Sequence, residues 1–587
     1  MSLADFQPRL GKPVRWLGSR IWWLEHAFER ARAAGRAEDD TRLRIFFVLA
    51  LFAAGFLTLG LGAVHAALFS DALHTNGYVA EQGARADIVD RNGNLLAVDL
   101  LHYGLFLDPK EIWDKNETRA ALTKALPGVT LDRLEKILAG DRRTRLVGGL
   151  TPDDRTRIND LGLPGVSFEE EQARLYPLGS TASHLIGFTD KGGDPLAGAE
   201  KALDKSIRSG ADSGQPTVLS IDLRVQAALE DEVQKAAVEF QAKGAVGLVI
   251  NVHTGEILGI ASYPDFDPNH AGQATPDQLM NRAAASVFEM GSTFKAFTVA
   301  TGLDVGVATP ETMFDATHPF QLGYRSIKDY HATGAMLSLV DVFTHSSNIG
   351  TARLAVSIGP QRLERYFDAF GLTKAADVEL LETRRPLTPR IWDEDAMAST
   401  SFGHGMLVSP LTLAEAYCTV TNGGVRIPLT ILKRTAPGWP TGIRVLKEST
   451  SLQMLQIMRA NVTHGTGGKA DAPGLTVGGK TGTGEKFLNG HYDHQKQVSS
   501  FAAVFPTEGG MKQDRYFVLV LMDEPKGNAA SGGFATGGWV AAPAAGRVID
   551  RIAPFLGVRR SSFSTPGLPA KPIQEEVETP TDVEAGH

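Results

Sequence analysis

Three short stretches hold residue types that could perform nucleophilic chemistry together. Ser292-Thr293-Phe294-Lys295 sets a hydroxyl and an amine three residues apart, and on a helix positions i and i+3 share a face. A serine hydroxyl is a weak nucleophile at neutral pH and needs a base beside it. A lysine serves when its neighbours lower its pKa. Ser346-Ser347-Asn348 begins 54 residues after Ser292, where the pattern reads as a helix junction. A hydroxyl and a carboxamide two apart can relay a proton and hold an amide. Lys480-Thr481-Gly482-Thr483 comes 132 residues after Asn348, behind an alternating apolar stretch. Its lysine offers a cation, its threonine hydroxyls can donate to a carboxylate, and its glycine lets a ligand backbone approach closely. Each stretch alone also reads as a solvated helix face, a junction or a Gly-rich strand end. Strict alternation sets Lys480 and Thr481 on opposite faces of a strand, so spacing alone does not bring every one of these residues to one site.

The ordered set is more specific than its parts. SxxK, then SxN, then KTGT resembles the signature of penicillin-binding proteins and serine β-lactamases. Flanking pieces agree: Glu289-Met290-Gly291, Ser401-Phe402-Gly403-His404-Gly405 with Ser409-Pro410, Gly465-Thr466-Gly467, Gly537-Gly538-Trp539 and Ala541-Ala542-Pro543. Upstream, RADIVDRNGNLLA (85–97), RLYPLG (174–179) with His184 and Gly187, and GAEKALD (198–204) resemble the N-terminal module of class B penicillin-binding proteins. The resemblance spans residues 45–557 and is nearest the division-specific, FtsI-type transpeptidase, with the elongation-specific type as its neighbour. Ala86, Met290 and Ala503 depart from the family's usual Gly, Pro and Gly; none of them is a reacting group.

The resemblance implies an acyl-enzyme mechanism on peptidoglycan stem peptides ending in D-Ala-D-Ala, without metal or cofactor. Ser292 is the expected nucleophile and Lys295 its base, with Ser346 and Lys480 passing a proton to the leaving D-Ala. Asn348 orients the donor amide, and Ser347, Thr481, Gly482 and Thr483 bind substrate, the threonines with Lys480 holding the terminal carboxylate. The backbone N–H groups of Ser292 and Thr483 form the oxyanion hole, a contribution of about 3–4 kcal/mol per donor. β-Lactams are expected to acylate Ser292. The implied partners are an FtsW-type lipid II polymerase and other divisome proteins. The alternatives are a D,D-carboxypeptidase or β-lactamase, in which water is the second nucleophile, and a penicillin-sensing domain.

The elements that must position these residues are legible in outline. Asn92-Gly93 marks a hairpin turn. Residues 116–160 carry leucines at helical spacing, and the polar, Gly-rich 208–216 reads as a linker. A short strand at 217–222, a helix at 225–242, a buried strand at 244–252, a turn at His253-Thr254-Gly255-Glu256 and a returning strand at 257–261 follow. Later strands at 501–504 and 516–522 complete an α+β pattern, helices sandwiching an antiparallel sheet in a serine β-lactamase-like transpeptidase domain. The expected division is a basic arm (1–44), a transmembrane helix (45–69), an elongated mixed pedestal of the penicillin-binding protein dimerisation type (70–215), the transpeptidase domain (216–557) and a disordered acidic tail (558–587).

Location follows from charge. Residues 45–70 carry no charged side chain, and about 20 apolar residues suffice to cross a bilayer. The preceding 44 residues hold nine Arg/Lys against six Asp/Glu, which keeps them cytoplasmic and puts the rest across the inner membrane in the periplasm. Within the arm, Leu17, Ile21, Leu24 and Phe28 recur at helical spacing, a weaker signal than its basic, disordered character. The net charge of −8 argues against nucleic acid as a partner. The single cysteine, Cys418, excludes an internal disulfide and any CxxC site, and its apolar surroundings make it a core residue. Arg85, Asp90 and Arg91 have two open readings: a partner surface just outside the membrane, or an internal ion cluster joining pedestal to catalytic domain.

Overall fold

The structure is a computed structural model that describes residues 85–561 except 191, 324, 489 and 490, together with 26, 33, 48 and 51–59. Residues 51–59 are helical and exposed; among the described residues no helix is long and apolar enough to cross a membrane. The expected span, basic arm and acidic tail lie mostly outside the described residues. From Gly83 the chain forms one unit.

Its first part is a mixed sheet in the order β3-β2-β1-β5, with β4 also pairing β2. β1 (Ile88–Val89) turns through Asn92-Gly93 into the long β2 (Leu95–Leu107); β3 (Thr144–Leu150), β4 (Val166–Leu175) and β5 (Thr217–Val218) complete it. Gly93 takes φ +88°, and the Asp90 carboxylate accepts the N–H groups of Asn92 and Asn94, both at 2.8 Å. Residues 116–160 are not helical throughout: helices Lys115–Ala125 and Leu131–Leu138 are separated from Pro152–Asn159 by β3, whose Leu146 and Leu150 join the small apolar core of this part. The stretch 208–216 is no linker either. Helix Asp204–Ser213 runs through most of it and ends at Gly214, which takes φ +67°.

Arg85, Asp90 and Arg91 turn toward the protein. Arg85 is 6% exposed and bonds Glu200 (2.7 Å) and Asp204 (2.5 Å); Arg174 bonds the same Glu200 (2.7 Å) and Asp99 (2.9 Å). Asp90 is fully buried and accepts the Leu223 N–H across 133 residues, while Arg91 contacts the Ser220 carbonyl and Glu256. Arg85 is therefore internal to this first part, while Asp90 and Arg91 are the ones whose contacts cross to residues beyond 218.

The second part is built on an antiparallel sheet ordered β14-β15-β16-β6-β7. β6 (Gly244–Asn251) and β7 (Ile257–Tyr263) form the first hairpin, buried because their Val, Leu and Ile side chains leave no polar face. Short strands β8 (Met313–Asp315), β9 (Phe320–Leu322), β10 (Arg325–Ile327), β11 (Met336–Ser338), β12 (Val425–Arg426) and β13 (Ile443–Arg444) decorate the helical side. β14 (Gly478–Leu488), β15 (His491–Phe505) and β16 (Tyr516–Asp523) close the sheet. Helices Leu223–Glu239 and Ala541–Ile552 pack on one face through Val225, Leu229, Val548 and Ile549. Helices Lys295–Val305 and Pro410–Thr421 fill the other with Phe297, Val299, Leu413 and Tyr417. Cys418 lies in the latter helix, 3% exposed, with burial pushing its thiol pKa up.

Candidate active site

Ser292 sits where a 3-10 turn, Gly291–Phe294, runs directly into helix Lys295–Val305. The turn is fixed from beneath: Met290, Thr293 and Phe294 are fully buried, and the Tyr417 hydroxyl donates to the Thr293 carbonyl at 2.7 Å. Gly291 takes φ +52°, and a Cβ there would lie 2.3 Å from the Thr483 carbonyl. Only glycine allows the turn to lie this close to β14. Ser292 alone in the turn is partly exposed, at the helix N-terminus, where backbone N–H groups lack intrahelical acceptors.

Two buried amines meet at one hydroxyl. Lys295 Nζ donates to Ser346 Oγ (3.0 Å) and to the Ser346 carbonyl; Lys480 Nζ donates to the same Oγ at 2.9 Å. Both lysines are fully buried. Burial lowers the Lys295 pKa far below the ordinary lysine value and the charge of Lys480 lowers it further, while Asp329 opposes. Burial alone brings Lys480 down to about 7. Two like charges on one oxygen disfavour each other, so the arrangement makes a neutral amine available near neutral pH. Ser346 holds its position in a left-handed conformation, φ +59°, the type of backbone strain that clusters at functional sites.

β14 supplies the opposite wall as the edge strand of the sheet. The alternation problem has a simple resolution: the four-carbon stem of Lys480 carries its amine around to Thr481, 3.3 Å from Oγ1. Thr481 Oγ1 in turn shares a hydrogen bond with Thr466 Oγ1 at 2.8 Å, and Thr483 Oγ1 accepts the Gly537 N–H at 3.2 Å. Gly482 packs so tightly beside the turn that carries Ser292 that a Cβ would meet the Met290 carbonyl at 2.6 Å.

Not every expected residue turns toward this centre. Ser347 caps helix Asn348–Ile358: its Oγ accepts the Gly350 N–H (2.9 Å) and donates to Asp329 (2.7 Å), leaving it 1% exposed and already engaged. Asn348 donates to the Lys328 carbonyl at 3.1 Å. Among the described residues the Ser292 hydroxyl has no hydrogen-bond partner, and Lys295 reaches Ser346 instead; catalytic contacts commonly tighten only with substrate present. Sequence reasoning passed over Asp329, which also accepts the Ile349 N–H at 2.9 Å and is the carboxylate whose charge reaches Lys295. Nothing in its local sequence marks it. Glu289, seen only as part of a flanking piece, is buried and accepts from the Gly405 N–H and the Tyr492 hydroxyl, and burial raises its pKa. Among the described residues no group of three His, Cys, Asp or Glu is placed to hold a metal ion.

Comparison with known proteins gives one answer for fold and family. The penicillin-binding protein transpeptidase domain matches residues 245–549, and the penicillin-binding protein dimerisation domain matches residues 80–218. The chain is 63% identical over 96% of its length to a probable peptidoglycan D,D-transpeptidase FtsI of Caulobacter vibrioides, covering 97% of that protein. It is 31% identical over 82% of its length to the peptidoglycan D,D-transpeptidase FtsI of Escherichia coli, covering 85% of it. The crystal structure of penicillin-binding protein 3 from Mycobacterium tuberculosis, complexed with aztreonam, superposes with a TM-score of 0.64 at 24% identity, over 82% of this chain and 97% of that one. With the SxxK turn, the SxN junction and the KTGT edge strand meeting in this fold, the chain belongs to the penicillin-binding proteins, among the FtsI-type peptidoglycan D,D-transpeptidases.

Proposed function

We propose that this chain cross-links peptidoglycan at the division septum through an acyl-enzyme on Ser292. One observation carries the reading: two buried lysine amines, one from SxxK and one from KTGT, converge on the hydroxyl of SxN beside the only partly exposed residue of the nucleophile turn. Ser292 Oγ attacks the carbonyl between the last two D-Ala residues and its proton passes to Lys295, which burial and Lys480 keep neutral. Ser346 hands that proton to the nitrogen of the departing D-Ala as the C–N bond breaks. The N–H groups of Ser292 and Thr483 steady the oxyanion, Lys480, Thr481 and Thr483 take the terminal carboxylate, and Gly482 keeps the wall close. Asn348 turns from Lys328 to the donor amide. An amine of a neighbouring stem then attacks the ester, forms the cross-link and frees Ser292. β-Lactams enter the same first step.

The apolar, uncharged stretch at 45–70 supports a single membrane anchor with the catalytic part in the periplasm. The family resemblance and the module at residues 80–218 support the division into pedestal and transpeptidase parts, and docking to an FtsW-type polymerase and other divisome proteins. The test of the site is direct. Labelled penicillin attaches to the detergent-solubilised full chain and not to Ser292→Ala, with peptide mapping placing the label on Ser292; equal labelling of the variant sinks the assignment.

A further inference from the structure

Beside the nucleophile, two buried polar atoms have no hydrogen-bond partner among the described residues and no task in the mechanism above: Glu289 Oε2 and His404 Nδ1. Their residues meet at Tyr492. The Tyr492 hydroxyl donates to Glu289 Oε1 at 3.1 Å, and its ring stands edge-on to the His404 imidazole with centroids 6.1 Å apart. The N–H of Gly405, next to His404, donates to the same Oε1 at 2.9 Å. Glu289 is 7% exposed and three residues before Ser292, and Gly484 of β14 packs against its carbonyl. Burial raises the pKa of Glu289 against the opposing hydrogen bonds from Gly405 and Tyr492, and burial lowers that of His404; the charge of Glu485 on β14 raises both. The charge of Lys295 lowers the pKa of His404.

Chemistry limits what such a cluster can receive. A carboxylate oxygen buried without a donor is costly. A carboxylate ligand would bring no donor and meet like charge, and a hydroxyl would bring one donor. A primary ammonium brings three donors and a positive charge, and satisfies Glu289 Oε2 and the Nδ1 lone pair of a neutral His404 together.

We propose that Glu289 and His404 form a subsite for a primary ammonium group of a stem peptide. It deepens the reading of Ser292 as the acylated residue and rests on it. The amine is either the acceptor that closes the cross-link or an amine on the donor stem. Both orphaned atoms are out of contact with solvent, so the side chains around them must move for the amine to reach them. An acceptor ammonium held there gives one proton to His404. The freed nitrogen lone pair attacks the acyl carbonyl and forms the C–N bond. Lys295 passes a second proton from that nitrogen to Ser292 Oγ as the ester C–O bond breaks, and His404 releases its proton to solvent.

The experiment uses the detergent-solubilised full chain as wild type, Glu289→Gln and His404→Gln. Donors are thioester analogues of the stem-peptide end with the side-chain amine free or acetylated; the acceptor is a D-amino acid. One ratio is kcat/KM for the free-amine donor over the acetylated donor. The other is aminolysis over hydrolysis of the acyl-enzyme made from the acetylated donor. A fall of about tenfold in the first ratio assigns the subsite to the donor, and the same fall in the second assigns it to the acceptor. If both ratios stay at wild-type values in variants that melt normally and still take labelled penicillin on Ser292, the proposal is overturned. If the wild type itself takes no label on Ser292, the reading of the nucleophile fails instead.

Discussion

Lys480 shows what the catalytic arrangement costs a single residue. Its amine is fully buried and its pKa lowered to about 7, against about 10.4 for lysine in an unfolded chain. Between those two values the unfolded chain binds one more proton than the folded chain, so this residue makes stability rise with pH. Below about pH 7 the folded protein carries the full penalty of a buried ammonium. We predict that denaturation midpoints measured from pH 7 to pH 10 climb more steeply for the wild type than for Lys480→Met, a difference on the order of a few kcal/mol across the range. Parallel curves would show that the amine titrates in the fold as it does in water. Burying a charge-bearing group is a stability loss wherever no partner neutralises it.

At the scale of elements, the site depends on an edge strand pressed against a turn. A Cβ at Gly482 would lie 2.5 Å from Ser500 Oγ, 2.6 Å from the Met290 carbonyl and 2.7 Å from Thr293 Cγ2; Thr293 belongs to the turn that carries Ser292 and Met290 immediately precedes it. Gly482→Ala is expected to destabilise the protein by about 1–3 kcal/mol through overpacking and to slow penicillin acylation by at least about tenfold. Stopped-flow labelling at the wild-type rate would refute the close-packing argument. This dependence on packing also explains what the sequence could and could not convey. Ser292, Lys295, Ser346 and Lys480 were legible because their spacing is a pattern of residue types, and β6 and β7 because their apolar runs flank a turn. Whether Lys480 and Thr481 share a face was not legible, because a long side chain ignores strand alternation once it can curl. The role of Ser347 was misread because a serine before a helix is also the ordinary cap. Asp329 had no signal, since its partners lie 18 and 20 residues away. Helix Asp204–Ser213 was hidden by Ser, Gly and Asp, whose weak helical preference is overridden where Ile207 enters the core. β3 was hidden among helical leucines because its partner, β2, lies some forty residues upstream.

At the scale of the whole molecule, an ionic cluster holds the first part together, and Asp90 and Arg91 beside it reach the second through the Leu223 N–H and Glu256. Glu200 is fully buried between Arg85 and Arg174, and its removal leaves two buried cations without their shared anion. Glu200→Ala is expected to cost about 3–5 kcal/mol and to lower the melting temperature of the full chain, with proteolysis beginning in the pedestal part. A melting curve within a degree of wild type would mean the cluster is hydrated and slack. The sheet joins the chain in a different way. β16 lies between β15 and β6, so the strand at 516–523 is the seam where the hairpin made first meets the hairpin made last. Gly537, whose N–H reaches Thr483, comes later still. A chain emerging from its N-terminus therefore exposes Ser292 and Lys295 long before the wall that would make them reactive has been synthesised. With its defining contacts so far apart in sequence, assembly of this sheet is slow by its topology. The order of synthesis thus acts as a timer: until β14 and Gly537 are made, the turn that carries Ser292 lacks the wall that packs against it.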